Sequence, residues 1–200
     1  MARTRAQDYK DKRDMIRHKA VELFAQHGFA NTSISLLAQH CGSSKARLYH
    51  YYTSKEAILF EVFDLHTREL LEAVDQIEPQ GVSPETALRE CLSRFMKIYE
   101  QSQQTHLVLL FELNRLSPEQ REVIAQRERE VVERIARLID PLAAGALQRT
   151  PELRKPLAMT LMGMINWTFT WLRRNGPVSH EHYAELAGTI FLEGLAAMRR

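Results

Sequence analysis

The chain has 200 residues, of which 44% are hydrophobic and 26% charged, with only eight glycines and seven prolines. This is the composition of an ordinary folded chain of one large or two small domains, and it excludes collagen-like, low-complexity and disordered classes. The formal net charge of +2 is unevenly placed: ten Lys/Arg stand against five Asp/Glu up to residue 56, and seventeen against twenty beyond it. A basic first quarter favours a nucleic-acid partner there, although a basic stretch is also a common form of solvated surface.

The two cysteines, Cys41 and Cys91, stand far apart with no Cys-x-x-Cys or Cys/His cluster. Neither a disulfide framework nor a metal site is expected, and a reducing cytoplasm fits. The N-terminal stretch alternates charges without an apolar run, unlike a secretory signal. The longest uncharged stretch, Leu157 to Leu172, is interrupted by Thr160, Asn166, Thr168 and Thr170 and falls short of the roughly 20 apolar residues of a membrane span. It is expected to be a core helix.

Taken in chain order, every element reads as helical, so the fold class is all-α. Ile16, Ala20, Leu23, Phe24 and His27 recur at helical spacing, and Gly28 supplies a left-handed cap, with Phe29 folding back on the helix end. A short helix follows from Ser33 to Gly42, carrying Ile34, Leu37, Ala38 and Cys41 on one face. Ser44 is the expected N-cap of a third helix with Leu48 and Tyr52 as its apolar face. Thr53 and Glu56 have the spacing of a capping box for a fourth helix running to about Glu78. Proline then marks the boundaries. Ser83-Pro84-Glu85, Ser117-Pro118-Glu119 and Thr150-Pro151-Glu152 each read as an N-cap hydroxyl followed by proline in the first turn. Helices are expected over 84–115 with a break near Thr105, 118–147 with a kink or break at Pro141, 151–174, and 180–198 with His180 and His182 at its start.

The stretch from Ile34 to Tyr52 holds two short helices joined by a glycine-containing turn, the pattern of a helix-turn-helix whose second helix enters the major groove. Lys45, Ala46 and Arg47 occupy the reading end. Arg47 can donate two hydrogen bonds to guanine, Lys45 can reach a base or a phosphate, and Ala46 permits close approach. Tyr49, Tyr51 and Lys55 are suited to phosphate contacts that fix register; for the two tyrosines, half-buried packing is the alternative. His50 lies beside them, and a solvated surface histidine is its alternative. Arg3 and Arg5 could form a basic arm or a plain chain terminus.

The span from Phe24 to Leu59, with Phe24, Gly28, Phe29, Thr32, Ile34, Ala38, Gly42, Ser44-Lys45, Leu48-Tyr49-His50-Tyr51-Tyr52 and Lys55-Glu56, closely resembles the DNA-binding domain of the TetR/AcrR family of transcriptional regulators. Ser43 departs from that pattern, where an aliphatic residue is usual, and Tyr52 stands where phenylalanine is commoner. The resemblance implies DNA contacts from Ser33, Ser35, Lys45, Ala46, Arg47, Tyr49, Tyr51 and Lys55, with Lys45 to Arg47 as readers. It divides the chain at residue 56 into a three-helix helix-turn-helix domain (1–56) and a helical effector-binding and dimerisation domain (57–200).

Residues 57–200 show no nucleophile with an adjacent base, no phosphate-cradling glycine loop and no metal spacing, so no enzymatic activity and no cofactor are expected. Leu157, Leu161, Ile165, Thr168 and Leu172 form one apolar stripe, and Leu186, Ala187, Ile190, Gly194 and Leu195 another. Paired across a two-fold axis, the last two helices would make the four-helix homodimer interface usual in the resembled family. The resemblance further implies an effector pocket, for which Phe60, Phe63, Leu107, Phe111, Met159, Met162, Asn166, Trp167 and Thr170 are candidates; side chains of these types line cores as readily as pockets. The segment from Asn166 to Arg174 resembles members responding to acyl-CoA thioesters, with Arg115, Arg173 or Arg174 available for the CoA phosphates. The expected function is a ligand-responsive regulator, a repressor released from a near-palindromic double-stranded operator by a small hydrophobic effector such as an acyl- or aryl-CoA thioester. The alternatives are an effector-independent DNA-binding dimer and a helical acyl-thioester enzyme or carrier.

Overall fold

A computed structural model describes residues 2–77 and 81–198, with side chains from residue 7 onward. Among the described residues every regular element is a helix. None is long and apolar enough to cross a membrane. The chain forms two compact units, one of residues 1–66 with 104–124 and one of residues 67–103 with 125–200.

The first unit holds α1 (Ala2–His27), α2 (Ile34–His40) and α3 (Lys45–Tyr49). To these it adds the beginning of α4 (Lys55–Asp75), most of α6 (Gln103–Glu112) and the beginning of α7 (Pro118–Ile139). The turn after α1 follows from its residues. Gly28 takes φ +78°, the left-handed region open to glycine. Phe29 packs its ring 5.0 Å from that of Phe24, folding back as its position predicts. The fully buried Thr32 hydroxyl donates to the carbonyl oxygens of Gly28 and Leu23 at 2.9 and 3.3 Å. Ile16, Ala20, Leu23, Phe24, Leu37, Leu48, Leu59 and Phe63 share one core with Val108, Leu116 and Ile124. Each large apolar side chain so buried contributes about 1.5–3 kcal/mol.

This membership differs from a division at residue 56. Residues 57–66 and 104–124 pack with the helix-turn-helix because Ile58, Leu59, Val62, Phe63, Val108, Leu116 and Ile124 bury their apolar faces there.

The second unit is built on α5 (Pro84–Gln101) and α10 (His180–Ala197), which pack along their lengths. Gly188 permits this approach, since a Cβ there would lie 3.2 Å from Leu92 Cδ1. Beside them stand α8 (Ala144–Arg149) and α9 (Arg154–Asn166). Arg154 donates to both oxygens of Asp140 and both of Glu133, at 2.7–3.1 Å, and ties the end of α7 to the start of α9. Tyr99 Oη donates to Asn166 Oδ1 at 2.6 Å, and Gln103 Nε2 donates to the carbonyls of Phe169 and Leu172 at 2.8 and 3.3 Å. Cys91 is a buried core residue.

Several boundaries depart from expectation. The fourth helix is capped by Ser54, whose Oγ accepts from Ala57 N at 3.1 Å, so Thr53 and Glu56 are one residue out of frame for a capping box. That helix ends at Asp75. The break in 84–115 falls at Ser102, whose hydroxyl bonds back to the carbonyl of Ile98, rather than near Thr105. Ser83 caps α5 as expected. Ser117 forms a complete capping box with Gln120, each backbone N–H donating to the other's side-chain oxygen at 3.2 Å. Thr150 makes no side-chain cap and starts only a 3₁₀ turn, Pro151–Leu153. The Ser179 hydroxyl caps the last helix, and His180, its first residue, is buried.

Leu157, Leu161, Ile165, Thr168 and Leu172 are all buried within the second unit, as are Ala187 and Leu195. They are core of one chain and are not available to a partner. Of the expected stripe on α10, Leu186 and Ile190 stay exposed, as do Met159, Trp167 and Trp171 at and just beyond α9.

Candidate nucleic-acid interface

The helix-turn-helix is assembled from local capping. Ser33 Oγ accepts from Leu36 N at 3.0 Å and starts α2. At its other end Gly42, at φ +56°, donates to Gln39 O while Ser43 N donates to Ala38 O at 2.9 Å. This double reverse bond is a Schellman closure, and it fixes the direction in which the chain leaves α2. Ser44 Oγ then accepts from Arg47 N at 3.2 Å and starts α3 two residues later.

Within α3, Leu48 is fully buried and anchors the helix. Lys45, Ala46 and Arg47 are all exposed, at the N-terminal end where base edges are met. Tyr49 is exposed and lies within cation–π reach of Lys45, with Nζ 6.0 Å from the ring centroid. Ser33, Ser35 and His50 are exposed and Tyr51 is half-buried. Seven of the nine expected contacts therefore face solvent on α2, α3 and their immediate flanks: Ser33, Ser35, Lys45, Ala46, Arg47, Tyr49 and His50.

Lys55 is placed differently. Its ammonium donates to the carbonyl oxygens of Phe29 and Thr32 and sits 4.1 Å from the Phe29 ring centroid. It clasps the α1–α2 turn, and two of its three donors are engaged within the protein. Tyr52 is also structural. It is buried, the Arg13 guanidinium lies 4.6 Å from its ring centroid, and burial pushes its hydroxyl up to about 12. Arg13 pairs in turn with Glu61 of α4.

Sequence reasoning missed two residues of this unit. Tyr9, on the charged early part of α1, packs against Tyr51 and His50; the one signal is its helical spacing from Arg13, which packs on Tyr52. Glu112, at the end of α6, accepts from Phe29 N at 2.9 Å, and no local pattern indicates a contact 83 residues away. The Arg3 and Arg5 side chains lie outside the described residues.

The expected effector residues are divided. In the first unit Phe63 is fully buried, Phe60 and Leu107 are half-buried, and Phe111 is exposed. In the second, Met162 is buried, Met159, Asn166 and Trp167 are exposed, and Thr170 is half-buried. A groove of the second unit lined by Glu72, Gln76, Arg94, Lys97 and Gln101 includes none of them. Of the arginines expected at a pocket rim, Arg115 pairs with Glu112 at 3.3 Å and Arg174 lies 3.9 Å from Glu100. Among the described residues no group of three or more His, Cys, Asp or Glu is placed to hold a metal ion.

A capped, solvent-facing cationic helix, set by a short turn on a buried leucine anchor, defines a helix-turn-helix DNA-binding protein. Residues 16–62 match the family model for bacterial regulatory proteins of the tetR family, and residues 81–195 match that for the tetracyclin repressor-like C-terminal domain. A TetR-family regulator from Bordetella parapertussis is 34% identical, with a TM-score of 0.83 over 90% of this chain and 94% of that one. The HTH-type transcriptional regulator YhgD of Bacillus subtilis is 24% identical over 94% of this chain and 98% of its own. YuxN of the same organism is 36% identical over 84 residues, 42% of this chain and 29% of that protein. AibR, solved in complex with isovaleryl coenzyme A and operator DNA, is 24% identical, with a TM-score of 0.74 over 90% of this chain and 98% of its own. The chain belongs to the TetR family of DNA-binding transcriptional regulators.

Proposed function

We propose that this regulator is a homodimeric repressor that binds a near-palindromic operator through α3 and is released by a small hydrophobic effector, with acyl-CoA thioesters as the leading class. The observation that carries the reading is the exposed Lys45-Ala46-Arg47 end of α3 above the buried Leu48. A five-residue helix spans few base pairs, so one copy reads little sequence. Two copies about a two-fold axis present a matched pair of readers roughly 34–36 Å apart, one helical turn of DNA.

Support for a second copy comes from Leu186 and Ile190, which stand in line on α10 with Gly194 and are exposed in the single chain. A Cβ on Gly194 would meet nothing within 4 Å, leaving room for a partner helix. The effector class is supported by the ligand of AibR and by the aromatic and methionine-rich segment from Met159 to Trp171. An effector acts by binding one spacing of the two readers more tightly than the other, and the shift is limited by that difference in affinity.

The test is fluorescence anisotropy of the full chain on labelled DNA from its own upstream region at fixed salt, titrated with a panel of acyl-CoA thioesters. Tight binding released by one thioester class is the expected result. Tight binding that none of them releases would remove the effector assignment and leave the DNA-binding regulator intact.

A further inference from the structure

Three rings meet at the end of α3, and one of them comes from α1. Tyr9 lies 5.0 Å from Tyr51 between ring centroids, tilted by 33°, and 6.1 Å from His50 at 89°. His50 and Tyr51 are themselves 5.4 Å apart and nearly perpendicular. Each pair falls within the distance range over which offset-stacked and edge-to-face rings attract.

The setting makes this cluster more than incidental packing. α3 is only five residues long and closes at His50 with reverse hydrogen bonds to Arg47 and Leu48. His50 and Tyr51 therefore sit where a helix ends and side chains have the most freedom. Tyr52, the next residue, is fixed by burial and by the Arg13 guanidinium on its ring. Arg13 stands four residues after Tyr9, on the same face of α1. That face thus holds three consecutive residues after the reading helix: Arg13 the buried one, and Tyr9 the two that reach the surface.

Tyr9 is itself 38% exposed and lies outside the unit's apolar core. Its described ring contacts are with His50 and Tyr51. We infer that Tyr9 is a positioning residue for DNA binding: it orders the His50 and Tyr51 side chains so that their polar ends meet the phosphate backbone beside the groove that α3 enters. The inference rests on the reading of α3 as the DNA-entering helix. Ordering these groups before binding removes an entropic cost that would otherwise be met on the DNA.

The test compares Tyr9→Ala and Tyr9→Phe in the full chain, using a duplex selected in vitro by the wild-type protein. Affinity, its salt dependence and the thermal unfolding midpoint are measured for each. Tyr9→Ala is expected to weaken binding about tenfold, the scale of two side chains left to be ordered on the DNA, with a shallower salt slope and a midpoint lowered by only a few degrees, as the loss of two ring contacts requires. Tyr9→Phe keeps the ring and is expected to bind as wild type. When His50→Ala and Tyr51→Phe are already present, adding Tyr9→Ala should weaken binding no further, because the groups it positions are gone.

Wild-type affinity in Tyr9→Ala overturns the inference. So does failure of Tyr9→Phe to restore binding, or an equal loss in the His50/Tyr51 background, since either would mean that Tyr9 acts through its own hydroxyl or through the fold. Failure of the wild-type chain to select any duplex would overturn the α3 reading together with it.

Discussion

The Glu112 carboxylate accepts the backbone N–H of Phe29 at 2.9 Å, across 83 residues of sequence. Phe29 is thereby held at both ends of its backbone, because its carbonyl accepts the Lys55 ammonium. The turn that sets α2 relative to α1 is thus fastened from α6 on one side and from α4 on the other. Glu112→Ala leaves the Phe29 N–H without its acceptor and is expected to destabilise the protein by about 1–3 kcal/mol. Glu112→Gln retains an acceptor and should cost less than about 1 kcal/mol. Urea unfolding of the two variants checks the difference.

Lys55 and Lys45 are both cationic residues of the expected DNA surface, but they separate by mechanism. Lys55→Met removes two hydrogen bonds to carbonyls and the contact with the Phe29 ring, and should lower stability by about 2 kcal/mol. Its effect on DNA affinity should follow from that loss. Lys45→Met should weaken DNA binding while leaving the unfolding midpoint unchanged. Thermal unfolding and DNA titration of both variants distinguish the roles.

His66 of α4 and His106 of α6 face each other in the first unit, with Nε2 atoms 2.9 Å apart and rings nearly perpendicular. One imidazole donates to the other, which requires a bare nitrogen on the acceptor. Burial lowers His66 to about 4, and burial together with the neighbouring His66 holds His106 well below its ordinary value. The folded state thus binds fewer protons than the unfolded one as pH falls. The contribution is complete above about pH 6.5, declines below it and is lost by about pH 4, amounting to about 2–3 kcal/mol for His66. Urea midpoints over that window should fall with pH, and His66→Gln should reduce the fall by roughly half.

Ile190 is 55% exposed on α10 and carries the proposed dimer face together with Leu186. Ile190→Glu should leave the helical content unchanged, since the side chain lies outside the chain's own core. It should convert the protein to a monomer in light scattering and weaken operator binding by at least tenfold through loss of the second reader. A dimer that survives this substitution would place the interface elsewhere.

The helix-turn-helix was legible because its signals are local. Ser33, Ser44, Gly28 and Gly42 act within a few residues of their positions, and the structure uses each as a cap or a left-handed turn. The cap expected at Thr53 and found at Ser54 has the same origin, since the two are adjacent hydroxyl residues and N-cap preference separates them only weakly. Helical spacing identified the buried face of α9, the stripe of Leu157, Leu161 and Ile165, but not what covers it: that face packs in the chain's own core, while Met159 and Trp167 are outside. The packing of 104–124 with the DNA-binding helices, the Tyr99–Asn166 bond and the Glu112–Phe29 bond depend on the tertiary fold, which no local pattern encodes.

The reading end of α3 is the central claim, and replacing Lys45 and Arg47 together by alanine tests it most directly. Both side chains are exposed, and the Ser44 cap acts through the Arg47 backbone N–H, which alanine keeps. The double variant should therefore fold and assemble as wild type. On a duplex selected by the wild-type protein, titrated against a scrambled duplex at the same salt, it should bind both equally and weakly. Retained preference for the selected duplex would contradict the assignment of α3 as the element that reads sequence.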